Sequence, residues 1–250
     1  MMWRSSNAGR LVFGATAVAF GILTLTWHNY DGWHLLQVSG GLVIVYAVAV
    51  AQIFGGVAIQ FRRVAKPGAV ALGAVYLVFT LLWVPQIVAT PLIFDPWGNL
   101  FEQFSLVLGA AFVYASMSPA WKAQTVNRIG RILWGITAVT FALYQAVHIN
   151  YTAGLVPKWI PPSQVFWVLA TTIAFALAAV ALLTNRAALL ATRLMTLMIV
   201  MFGLLVWVPR LISDPHNHGN WGEIILNFGI AAAAWIFADL LDTYRRAVTQ

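Results

Sequence analysis

Eight stretches of this sequence are apolar for long enough to cross a lipid bilayer, and that feature leaves few folds open. A hydrocarbon layer about 30 Å thick takes a helix of about 20 mostly apolar residues. The stretches run roughly over 9–27, 35–60, 68–89, 98–118, 130–149, 163–184, 187–211 and 221–241. Between them stand Asp31-Gly32, Pro67-Gly68, Pro91 with Pro96, Pro119, Pro157 with Pro161-Pro162, Asn185, and Asp214-Pro215, residues that stop helices and turn chains. The second stretch exceeds what the layer needs and is expected to tilt or extend beyond it. Composition agrees. Only 8% of the 250 residues are charged, against about 25% in soluble domains, which excludes a soluble globular enzyme. With no cysteine, disulfides, thiolate-bound metals, Fe–S clusters and thiol redox chemistry are excluded too. The chain is expected to be an all-α polytopic membrane protein with eight transmembrane helices.

The net charge of +7 comes from residues set mostly on one side. Arg4, Arg10, Arg62, Arg63, Lys66, Lys122, Arg128, Arg131, Arg186, Arg193, Arg245 and Arg246 fall at one set of ends, leaving Lys158 and Arg210 at the other. Basic residues concentrate on the cytoplasmic side, so both termini are expected there. The basic excess is explained by topology and anionic headgroups, not by nucleic acid. The opposite side holds Asp31, Asp95, Glu102, Asp214, Glu223 and all five histidines. Arg4 and Arg10 precede the first span as in a signal peptide, but no small-residue cleavage site stands out, and that segment recurs later, so it is expected to be retained.

The recurrence is an internal duplication. Gly9-Arg10-Leu11-Val12-Phe13-Gly14-Ala15-Thr16-Ala17-Val18 returns 121 residues later as Gly130-Arg131-Ile132-Leu133-Trp134-Gly135-Ile136-Thr137-Ala138-Val139. Trp83-Val84-Pro85, Pro91, Trp97-Gly98 and Phe104 return 124 residues later as Trp207-Val208-Pro209, Pro215, Trp221-Gly222 and Phe228. The spacing grows by three, and the loop around 150–162 is the natural place for the gain. Two tandem four-helix bundles, 1–120 and 121–250, are expected as a parallel repeat about an axis along the membrane normal.

Polar residues at membrane depth are costly and mark candidate sites. Arg210 and Glu223 lie on either side of a short outer turn, and 124 residues earlier stand Gln86 and Asn99. Charge is absent from both positions together, as expected for touching residues, since a lone buried charge is heavily penalised. The pair either pins two helices or serves a ligand. Glu102-Gln103, Asn227 in the place equivalent to Gln103, Tyr144-Gln145 before His148, and Gln37, Gln52 and Gln60 supply further polar groups. Their amides can bond between helices or grip the carbonyls of a quinone-like headgroup. No metal site is assigned. His216 and His218, beside Asp214, would need a third ligand from elsewhere, and His28 and His148 are expected to lie in different units, against a shared haem. Trp27, Trp33, Trp97, Trp159, Trp167 and Trp221 fit an interfacial aromatic belt. No P-loop, dinucleotide fingerprint or zinc-protease motif is present.

His148, Leu155-Val156-Pro157-Lys158-Trp159-Ile160-Pro161-Pro162 and Phe166-Trp167 resemble the first loop of DoxX-like membrane proteins. Trp207-Val208-Pro209-Arg210-Leu211-Ile212, then Asp214-Pro215 and Trp221, resemble the end of their third helix and the loop beyond. The likeness covers about 130–240; the first half lacks the Val-Pro-x-Trp-x-Pro loop and has Gln86 where the arginine stands. The resemblance implies a four-helix unit in a prokaryotic plasma membrane. It also implies an accessory role among partner subunits of a membrane redox assembly, with quinone as the candidate cofactor. The rival readings are a small-molecule or lipid carrier with its site between the repeats, and an outer-face metal or haem protein.

Overall fold

A computed structural model describes residues 7–28, 41–118 and 122–248. Among these there are helices and short turns and no strand. The helices are α1 (Asn7–Trp27), α2 (Gly41–Ala58), α3 (Ala65–Leu82), α4 (Val84–Ala89), α5 (Asp95–Ser116), α6 (Ala123–Val147), α7 (Ile149–Leu155), α8 (Gln164–Thr184), α9 (Ala188–Phe202), α10 (Val208–Ser213) and α11 (His218–Val248). Six helical segments are long and apolar enough to cross a membrane, or seven if α6 and α7, bent by 94° at His148, count as one. The chain is a multi-pass membrane protein by that measure. The expected spans coincide with these helices within a few residues, apart from two early or late ends. α6 begins at Ala123 and α11 runs on to Val248. Residues 35–40 of the second expected span lie outside the described residues, as do His34, Gln37 and Trp33.

The expected fourth span, α5, falls short in apolarity because Asp95, Asn99, Glu102 and Gln103 occupy its first turns. Its surroundings give the reason. α5 packs against α3, α6 and α11, and only Asp95 and Ala111 of its residues are exposed. A helix enclosed by protein does not need a lipid-compatible surface.

Helix ends follow local chemistry. The Ser163 hydroxyl accepts from the Phe166 N–H at 3.2 Å and caps α8, and Asn185 ends it in the left-handed region at φ 59°, where asparagine is tolerated. The Leu182 carbonyl accepts from the Asn185 N–H at 3.3 Å and from Arg131 Nη1 at 3.1 Å. Pro85 and Pro209 each sit in the first turn of a short helix, α4 and α10, because proline cannot continue the preceding ladder. Both short helices close alike: the Thr90 N–H donates to Gln86 O at 2.8 Å and the Asp214 N–H to Arg210 O at 3.0 Å. Trp97 Nε1 then donates to Pro91 O at 3.2 Å and Trp221 Nε1 to Pro215 O at 2.9 Å. Trp167 makes the same bond to Pro161 O, at 2.9 Å. Threonine hydroxyls inside the spans, such as Thr80 and Thr192, donate to carbonyls four residues back, which satisfies them without a partner helix.

Packing does not divide at the boundary near 120. One continuous core joins Phe13 of α1, Tyr76 of α3, Phe112 of α5, Trp134 of α6, Met195 of α9 and Phe237 of α11. α11 lies at its centre, touching α1, α5, α6 and α9. The apolar window of α11 is 72% buried, against 22% for that of α9–α10, so α9 is peripheral. Small residues permit the closest approaches, as is usual between membrane helices. A Cβ at Gly56 would lie 2.5 Å from Gly14 O, so α1 and α2 meet backbone to backbone. Gln60 Nε2 adds a bond across this seam to Arg10 O at 3.1 Å, the interhelical role expected of such amides.

Candidate functional site

A cavity of about 570 Å³ opens within the second half, with α5 supplying one wall. Its polar lining is gathered at one end, from Glu102 of α5, Tyr144 and Gln145 of α6, Thr152 of α7, and Glu223 and Asn227 of α11. The remainder is apolar, from Phe141 and Phe175 to Leu194, Met198, Phe202 and Ile230. Lining residues on α9 and its extension run from Leu194 to Trp207, thirteen positions or roughly 20 Å of helix rise. The cavity thus has a polar head and a long apolar body.

Glu102 and Glu223 sense each other's charge across the polar end. Gln145 is 9% exposed, and its Oε1 accepts from the Thr172 hydroxyl at 3.1 Å, with Thr171 Oγ1 at 3.0 Å. The Thr172 hydroxyl thus holds the amide oxygen of a residue that lines the cavity. Asn227 Oδ1 is buried without a hydrogen-bond partner and lies against Gly203, where a Cβ would approach it to 2.8 Å. Gly203 opens a π-helical turn, Gly203–Trp207, and Leu205, Val206 and Trp207 of that turn line the cavity. Such turns interrupt the regular ladder and are frequent at functional sites.

The 94° bend at His148 brings α7 over the polar end, so Thr152 and Leu155 join the lining. The segment 150–162, expected as a loop, is in part this helix. His148 Nε2 sits 3.2 Å from Asp95 Oδ1, and its ring lies 4.7 Å from that of Tyr144. Tyr144 packs on Gly98, where an added Cβ would clash with the ring edge at Cδ2. Gly98→Ala is therefore expected to push Tyr144 into the cavity, costing about 2 kcal/mol and closing the polar end. Gly154→Ala, with open space around it, is the neutral control. Thermal unfolding of the two variants in detergent checks this.

The other sequence candidates fall elsewhere. The Arg210 guanidinium lies over the Trp207 ring, 5.5 Å from its centroid, and the charges of both Arg210 and Glu223 act on the Tyr151 hydroxyl. Asn99 Nδ2 bonds within its own helix to Asp95 O at 2.9 Å, and Gln86 sits on α4, outside the cavity lining. Gln103 Oε1 is buried without a partner, like the Oδ1 of its counterpart Asn227, but Gln103 does not line the cavity. Among the described residues no three His, Cys, Asp or Glu side chains gather as for a metal. His216 and Asp214 are exposed, while His218 turns its ring to Trp27 at 5.7 Å. His28 Nδ1 is 2.9 Å from the Tyr46 hydroxyl, away from His148.

Sequence reasoning noted Glu102 but did not join it to Tyr144, Asp95 or the cavity. The signal was present: Asp95, Gly98 and Glu102 follow i, i+3, i+7 spacing on one helix face. In the comparisons with known proteins, no family model, curated protein or solved structure matches the chain.

Proposed function

We propose that the protein crosses the plasma membrane of a prokaryote eight times, both termini cytoplasmic, as a tandem of two DoxX-like four-helix units. In this reading its cavity holds the headgroup of an amphipathic, quinone-like molecule, and the chain serves as an accessory subunit of a quinone-linked redox assembly. The single observation that carries the binding role is the cavity, polar at one end and apolar along its body, the form of a site for a headgroup with a lipid tail. The Gln145 and Tyr144 donors fit a ring carbonyl, and the apolar body fits a tail. When bound, a quinone would supply two-electron redox chemistry; this chain's residues bind and orient it. The tandem arrangement is supported by the paired α4 and α10 turns, each followed by a tryptophan-to-proline bond. The eight spans follow if α5 and the α6–α7 pair are both counted.

Trp167 and Trp207 line the cavity, so a short-tailed quinone is expected to quench the fluorescence of the nanodisc-embedded protein saturably. Ala174→Trp, which fills the apolar body, should leave only linear, unsaturable quenching. Equal quenching curves for the two proteins would refute the binding role.

A carrier is the second reading, favoured by the π turn in the cavity wall, since transporters bind substrate at interrupted helices. The seam between the halves is filled by Phe13, Phe112 and Phe237, so a carrier would have to work inside the second half instead of by rocking one half against the other.

A further inference from the structure

α8 and α9 run antiparallel from a short turn at residues 185–187. α6 covers one flank of α8 and α11 covers one flank of α9, leaving the flanks that α8 and α9 turn toward each other. Close to the turn both helices hold buried residues, Ala178 and Leu182 on α8 and Ala188 and Thr192 on α9, none of which lines the cavity. Farther out the pattern reverses. Leu194, Leu197 and Met201 of α9 line the cavity and are also exposed, Leu197 by 56%. Their spacing of three and four places them on one face of the helix. On α8, Trp167 and Ala174 likewise line the cavity and are exposed, with Ala170 half-buried between them. A residue that both lines a cavity and faces outward marks its rim. Ala174 stands eleven positions before Asn185 and Leu197 ten positions after Ala187. The two rims therefore face each other roughly 15 Å from the turn, near the middle of a hydrocarbon layer about 30 Å thick.

We infer that the gap between α8 and α9 is a lateral portal, through which the cavity takes its guest directly from the hydrocarbon of the bilayer. This rests on the reading of the cavity as a site for an amphipathic molecule, and it adds the source and the class of that molecule: a lipid-dissolved compound with an uncharged head. None of the six rim residues is charged, and a charged head is costly at that depth. An uncharged head passes between Ala170 and Met201 and reaches Gln145 and Tyr144 at the polar end. The tail follows along the apolar body and trails out through the gap, so the length of the cavity sets no limit on the length of the tail. Ala170 and Ala174 keep the gap wide on the α8 side, because their side chains reach no farther than Cβ. On the α9 side Leu197 and Met201 narrow it with side chains that can change rotamer.

The test follows the rate of saturable fluorescence quenching when the nanodisc-embedded full chain is mixed with a short-tailed quinone in a stopped-flow instrument. Ala170→Phe narrows the gap from the α8 side. It is expected to slow the saturable phase at least about tenfold while moving half-saturation by no more than about twofold, because entry and release share one route. Leu197→Ala widens the gap from the α9 side and should speed the phase at least about threefold. Leu177→Phe, on α8 and exposed but outside the lining, should leave the rate unchanged. An Ala170→Phe rate within about twofold of wild type, or equal slowing by Leu177→Phe, would overturn the portal and leave the binding reading standing. If Ala170→Phe abolishes the saturable phase, Leu197→Ala decides, and a rate that it fails to raise overturns the portal. A wild-type protein with no saturable phase at all would remove the portal and the binding reading together.

Discussion

Phe237→Ala should be the most damaging single truncation in the molecule, with a loss of about 4 kcal/mol. The side chain is fully buried. It stacks on Phe112 of α5 with ring centroids 4.8 Å apart and planes inclined by 21°. It also fills the space left by Gly130 of α6, where an added Cβ would strike the Phe237 ring and approach that of Phe112 at 3.0 Å. One ring therefore joins three helices from both halves. Between membrane helices, attraction rests on close packing, because lipid tails are as apolar as the residues they replace. Removing the ring forfeits its dispersion contacts and leaves a void that the surrounding glycines and alanines cannot fill. Unfolding in mixed micelles would measure the loss. Val248→Ala, at an exposed position on the same helix, should be nearly silent. A cost for Phe237→Ala below about 1 kcal/mol would show that the halves do not depend on this contact.

The second large effect is expected from Gly56→Leu. Gly56 and Gly14 face one another so closely that a Cβ on Gly56 would lie 2.5 Å from Gly14 O and 3.1 Å from Ala17 Cβ. The obstacle is backbone, which cannot swing aside as a side-chain tip can. α1 and α2 would have to separate, breaking the Gln60 bond to Arg10 O and uncovering Phe13 and Ala17, both wholly buried. Overpacking costs about 1–3 kcal/mol where neighbours can yield, and a loss of about 3 kcal/mol or more is expected here. Gly41→Leu meets nothing within 4 Å among the described residues and is the control. Comparable loss from both substitutions would mean that helix propensity, not the close approach, sets the cost.

The spans were legible because a bilayer demands length and apolarity from each helix, and both are local properties. The breaks at Val84-Pro85 and Val208-Pro209 were not anticipated, since the expected spans 68–89 and 187–211 run through both prolines, although proline acts on its own turn. Nor was α7 anticipated. Seven residues, Ile149–Leu155, carry no cap from His148, and their helix is held by lying over the cavity, a contact invisible in sequence. Reasoning across a turn paired Arg210 with Glu223 by charge; it did not foresee the Trp207 ring 5.5 Å from the guanidinium, one turn back, nor Tyr151, on which both charges act. Gly98 shows another limit. A glycine after Trp97 reads as a repeat marker, yet its role is the room it leaves for a ring 46 positions on, supplied by Tyr144.

The position of α11 bears on how the molecule is made. Among the described residues ten helices precede it, and five of them, α1, α5, α6, α9 and α10, pack against it. Until it inserts, the face of α1 that carries Phe13 has only lipid and its first neighbours to cover it. Membrane insertion of the early helices and consolidation of the bundle are thus separate events in time. A nascent chain halted before Ile230 should be threaded correctly through the bilayer and yet remain open to protease at its turns.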